Sequence, residues 1–142
     1  MATEQPILES LDGIPWSRLR CLTGFADHVP EAVFGLMSED SNAIEASYWR
    51  LENCVVAQGS LYEAAGYLPP VLLEAFDKAP LKWSILELLF QIGNGNAFDD
   101  SELENRCHSS VVSGLQHWLL SNPNADLKVR NTVEDVLREL LQ

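Results

Sequence analysis

Apolar residues recur along this chain at spacings of three and four, the interval that lines one face of an α-helix. No run rich in Val, Ile or Thr alternates with period two between turn residues, so the pattern predicts an all-α protein. Pro15 to Leu22 reads as a short first helix, opened by Pro15 and ended by Gly24. A second helix runs from about Pro30 through Val33, Leu36 and Met37 to a polar turn at residues 38 to 42. A third follows from about Ala43. Its core stripe is Ile44, Tyr48, Leu51 and Val55, with Glu45, Trp49 and Glu52 as a neighbouring stripe.

The stretch AQGSLYEAAGYLPP, residues 57 to 70, opens like a helix, with Leu61, Ala65 and Leu68 in register, and then meets two prolines. Prolines are tolerated in a first helical turn because those amides lack intrahelical partners. The pattern therefore predicts a short linking helix followed at once by a new one carrying Leu72, Leu73 and Phe76. From Pro80 the chain is apolar nearly all round, through Leu81, Trp83, Ile85, Leu86, Leu88, Leu89, Phe90 and Ile92, which predicts a central helix. GNGNAFDD, residues 93 to 100, is turn chemistry, and Asp100 or Ser101 can cap a long helix through Leu103, Cys107, Val111, Leu115 and Trp118. SNPNAD, residues 121 to 126, ends it, and a last helix runs from about Asp126 to Leu141.

These helices pair naturally: residues 30–38 with 43–57, 69–77 with 80–92, and 101–121 with 126–141. The division is an N-terminal cap over 1–24, hairpins over 25–57, 69–93 and 100–142, and a linking helix over 58–68. Two segments repeat one pattern. DLKVRNTVEDVL, residues 126 to 137, resembles the D-x-x-V-R-x-x-A-x-x-A-L second helix of a HEAT repeat, with Val in place of Ala. KAPLKWSILELL, residues 78 to 89, has the same offsets 48 residues earlier, with Lys82 at the Arg position and Lys78 in place of Asp. That offset is near the roughly 40 to 47 residues of such units, and Ile44, Tyr48 and Leu51 form a third, degenerate copy.

The resemblance implies a short right-handed superhelix of about three HEAT-like hairpins behind the cap helix. The four tryptophans, Trp16, Trp49, Trp83 and Trp118, lie 33, 34 and 35 residues apart in turn, as in tetratricopeptide repeats. They fall in non-equivalent helices, however, and the prolines after Tyr62 break that pattern. Residues 48 to 76, YWRLENCVVAQGSLYEAAGYLPPVLLEAF, resemble a segment of small bacterial HEAT-like proteins, among them immunity partners of secreted polymorphic toxins.

Charge changes the picture further. Nine Lys and Arg stand against 21 Asp and Glu, a formal net charge of -12. Residues 1 to 77 hold twelve of the acids and only three bases, Arg18, Arg20 and Arg50. Nucleic-acid binders carry a basic patch, so this balance argues against a phosphate-binding surface and favours a basic protein partner, while also serving solubility. The N-terminus has acids where a secretory signal has bases, and no apolar run approaches the roughly 20 residues that span a bilayer. The expectation is a cytoplasmic protein without a membrane segment.

Cys21, Cys54 and Cys107 are odd in number and far apart in sequence, which suits buried apolar residues in a reducing compartment. His28, His108 and His117 occur singly, and no Cys/His ligand spacing predicts a metal site. Metalloprotease, nucleophile-elbow, phosphate-loop and deaminase motifs are absent, and nothing calls for a cofactor. Asp99, Asp100, Glu102 and Glu104 lack the order of a calcium loop; they suit a first helical turn and are open to partner contact.

The expectation is a non-enzymatic binding protein. The family resemblance implies an immunity protein that occludes a basic toxin, such as a nuclease, with an acidic face. A HEAT-like scaffold or adaptor binding an endogenous protein or peptide is the other reading. A glycosylase-like enzyme would need the basic surface this composition lacks. The candidate contact residues are Glu45, Trp49, Glu52, Gln58, Tyr62, Glu63, Asp99 and Asp100. Trp49 itself can belong to the core or stand exposed between its acids.

Overall fold

The computed structural model describes residues 8–142. The first seven residues of the expected cap lie outside this range. Six α-helices and no named strand occur among the described residues. They are α1 (Val29–Leu36), α2 (Ser41–Val55), α3 (Leu68–Lys78), α4 (Trp83–Gly93), α5 (Ser101–Ser121) and α6 (Leu127–Leu140).

Local chemistry accounts for most of the boundaries. Asp40 opens α2 by accepting from Asn42 N at 3.0 Å. Asp100 opens α5 by accepting from Leu103 N at 3.0 Å, and Asp126 opens α6 by accepting from Lys128 N at 2.8 Å. Each carboxylate satisfies amides that the helix cannot pair internally. Pro30 and Pro69 sit in the first turns of α1 and α3, where a missing amide proton costs nothing.

Two expected helices are replaced by tighter structure. Instead of a cap helix over Pro15 to Leu22, only Trp16–Arg18 forms a 3-10 turn, after which Arg20 bridges Phe25 around Gly24 at φ +77°. The turn buries Trp16 and Leu19, and helix nucleation in so short a segment is too costly to compete with that burial. The linking helix is likewise absent. Ala57–Gly59 and Glu63–Gly66 are separate 3-10 turns, divided by an extended Ser60 that bridges Asn96. Leu61 N donates to Asn96 O, and Asn96 N to Gly59 O, both at 2.8 Å.

Each helix lies against its sequence neighbour, α1 on α2, α3 on α4 and α5 on α6. The first helices touch in the order α1, α3, α5 and the second in the order α2, α4, α6, giving two layers. The apolar α4 also packs against α5, so it meets four helices and is central, as its composition predicts. Close crossings depend on small residues. A Cβ on Gly35 would stand 1.9 Å from Ser47 Oγ, and one on Gly114 would stand 2.1 Å from a Leu73 methyl. Phe76 and Trp118 meet edge to face at 5.0 Å within one continuous core.

Candidate functional site

The largest exposed apolar side chains on α2 and at the start of α4 share one groove. Ser41, Ile44, Glu45, Tyr48 and Trp49 line it from α2, and Leu81, Trp83 and Ser84 line it from the other side, around a volume of about 390 Å³. Helical spacing puts Ser41, Ile44, Glu45 and Tyr48 on one face. Trp49 is 52% exposed, Leu81 46% and Trp83 44%. Trp49 is therefore a surface residue, which decides the alternative its sequence position left open.

The groove is braced from beneath. The rings of Tyr48 and Trp49 meet edge to face at 5.2 Å. Gln91 Nε2 donates to the Tyr48 hydroxyl and, at 3.3 Å, to Glu87 Oε1. Burial raises the Tyr48 pKa, the nearby Glu87 and Glu52 carboxylates raise it further, and the Gln91 bond opposes them. The phenol therefore stays neutral, with its proton available as a donor. At the far wall Lys128 Nζ stands 5.8 Å from the Trp83 ring. An apolar cleft with Glu45 at its edge can take an apolar side chain flanked by a cation.

The central helix was expected to start near Pro80 and to carry Leu81 and Trp83 among its apolar residues, and its start and the burial of these two side chains differ from that expectation. The helix begins at Trp83, so both residues lie at its exposed entrance rather than within the stack. The aromatic at the first turn was visible in sequence. Its solvent exposure depends on how α4 packs against α2, which no local pattern encodes.

The other sequence candidates lie outside this groove's lining. Glu52 is half-buried on α2 near Tyr48. Tyr62, Asp99 and Asp100 come together in a second cleft of about 310 Å³ with Phe98, which is 87% exposed. Asp100 is engaged there as the α5 cap. Glu63 accepts from Arg20 N at 2.9 Å, fastening the link to the N-terminal turns. Gln58 is exposed with a left-handed backbone, φ +53°.

A third cluster was illegible in the sequence. Cys21 and Cys54 were expected to be separate, yet they form a disulfide with Cα atoms 4.6 Å apart. The His28 ring approaches them, and the donor atoms of all three residues lie within 4.8 Å of one another. Separation in sequence hides this meeting because the packing of the N-terminal loop against the end of α2 creates it. Cys107 does fit the expectation of a buried free thiol. Burial pushes its pKa up to about 11, with Arg106 opposing and Asp100 adding to the rise.

No described helix is long and apolar enough to cross a membrane. Comparison of the chain with protein-family models, curated proteins and solved structures finds no significant match to any of the three.

Proposed function

We propose that this chain is a non-enzymatic protein-binding module, built as a short right-handed HEAT-like superhelix, that neutralises a cognate basic toxin by covering its working surface. The observation that carries this reading is the shared groove of Trp49, Leu81 and Trp83 with Glu45 on its rim. Tryptophans in a desolvated pocket are typical anchors of interface energy, and a net charge of -12 speeds encounter with a cationic surface. The two helical layers and the recurrence of one sequence pattern in α4 and α6 support the HEAT-like part of the reading.

In this reading the chain works in the cytoplasm, where a nuclease-type toxin meets its substrate. Occlusion follows from geometry: a basic substrate groove that accepts the acidic rim is closed to nucleic acid. The test is rescue of cells expressing the toxin encoded beside this chain, with affinity measured for the pair. Rescue by the wild-type chain, and its loss in a folded Trp49→Ala, Trp83→Ala double variant, is the expected result. Rescue and affinity unchanged in that variant would sink the assigned face. An absence of rescue, with tight binding of an endogenous amphipathic helix, would replace the toxin by the adaptor reading.

A further inference from the structure

We propose that Cys21, Cys54 and His28 form a redox-gated site for a thiophilic d10 divalent cation of the zinc type. The disulfide alone leaves His28 unexplained. His28 precedes α1, but its side chain does not cap that helix. His108 and His117, by contrast, both bond to neighbours, through Gly93 O at 3.1 Å and Ser121 Oγ at 3.3 Å. The His28 ring instead lies with the two sulfurs, all three donors within 4.8 Å.

Two thiolates and one imidazole are a set that such cations prefer, and three protein ligands leave the fourth tetrahedral position to water or an exogenous donor. Two thiolates also balance the ion's charge, which suits a site whose cysteines are both buried. Zinc–sulfur bonds of about 2.3 Å in a tetrahedron hold two sulfurs about 3.8 Å apart. The sulfurs must therefore separate from bonding contact. Cys54 sits in the last turn of α2, but Cys21 lies in the short loop after the 3-10 turn, tied by Cys21 N to Gly24 O and by Leu22 N to Cys54 O, each at 3.0 Å. The loop side of the pair is the side that yields.

The gate is a thiol–disulfide exchange. A cellular dithiol gives two electrons and two protons to the Cys21–Cys54 disulfide, the S–S bond breaks, two thiols form, and the dithiol leaves as its own disulfide. Cation binding then releases the two thiol protons to solvent. In reverse, a cellular disulfide takes two electrons from the two thiolates and, with two protons from solvent, leaves as a dithiol; the Cys21–Cys54 bond re-forms and the ion is expelled. The oxidised chain and the metal-loaded chain are thus alternative closures of the same contact between the N-terminal loop and α2.

The test uses the full chain with Cys107→Ala, reduced with a phosphine and titrated anaerobically with Co2+, then Zn2+. One Co2+ per chain is expected, with thiolate charge-transfer and tetrahedral d–d absorption that Zn2+ abolishes. The oxidised chain should show neither band. Cys21→Ser should remove the charge-transfer band or halve it, and His28→Ala, which leaves both thiols, should weaken binding by about tenfold or more. Circular dichroism run in parallel reports folding. Absence of the bands in the reduced chain, folded or unfolded, would overturn the proposal. Equal Co2+ affinity in the His28→Ala chain would overturn the site as assigned.

Discussion

Lys82 and Arg130 hold corresponding positions in two hairpins, each reaching back across a turn to the carbonyls that end the preceding helix. Lys82 Nζ donates to Phe76 O, to Ala79 O at 3.0 Å and to Asp77 O at 3.2 Å, closing α3. Arg130 donates through one nitrogen to Leu119 O at 2.8 Å and to Asn122 O, closing α5. Both cations face the negative end of a helix, where four carbonyls lack partners. Burial lowers the Lys82 pKa while Asp77 opposes that shift, and the Lys82 Nζ also stands 5.2 Å from the Phe76 ring. These two residues are the ones aligned by the repeated sequence pattern, so the pattern encodes a helix-closing device.

Replacing either cation by Met keeps the aliphatic stem and removes the donors. Lys82→Met and Arg130→Met are each expected to cost about 1 to 2 kcal/mol, from loss of charged hydrogen bonds to partly buried carbonyls. Thermal denaturation should show Tm falling by about 3 to 8 °C in each. A change under about 1 °C would mean the carbonyls are served by water.

The groove residues should separate binding from folding. Trp49→Ala and Trp83→Ala remove side chains that are 52% and 44% exposed, so each should cost about 1 kcal/mol of stability or less. Partner affinity should fall about tenfold or more for each variant. Urea denaturation and binding calorimetry on the same preparations give the two numbers.

Glu74 ties the N-terminal turns to α3. It accepts from Ser10 Oγ at 2.6 Å, Ser10 N at 3.0 Å, Glu9 N at 3.2 Å and Lys78 Nζ at 3.2 Å. Burial by itself raises its pKa, but the bonds from Ser10, Lys78 and Glu9 together outweigh that and bring it down to about 2. A folded-state value below the ordinary 4.5 means that the clamp contributes fully above that pH. Its contribution is lost as the pH falls through about 2. Glu74→Gln should lower stability at neutral pH and flatten the stability profile across this window, as followed by urea midpoints.

The disulfide joins residues 33 apart. Closing a loop of that length restricts the unfolded chain by about 3 to 4 kcal/mol in the chain-entropy model. The metal-free chain carrying Cys21→Ser and Cys54→Ser together should therefore unfold at clearly lower urea than the oxidised wild type. Equal midpoints would show that native packing, not chain restriction, governs this junction.

Much of the fold was legible because its determinants are local. The three-and-four spacing marked α1 to α6 to within a few residues, and Asp100 and Asp126 capped their helices through bonds spanning two or three residues. Where a segment was short, locality gave way. At Pro15 to Leu22 and at residues 58–68, periodicity suggested helix, but burial of Trp16 and pairing of Ser60 with Asn96 selected turns.

Sequence by itself therefore determined that this protein is a set of amphipathic helices, one of them opened by a cap at Asp100, and strongly acidic. Only tertiary structure decided that Trp49 and Trp83 face solvent in one groove while Trp16 and Trp118 are buried. It also decided that Tyr62 lies with Asp99 and Asp100 in another cleft, and that Cys21, His28 and Cys54 meet. The physical reason is the same in each case. Helix formation is settled among neighbours three and four residues apart, whereas exposure and meeting depend on how elements distant in sequence pack against one another.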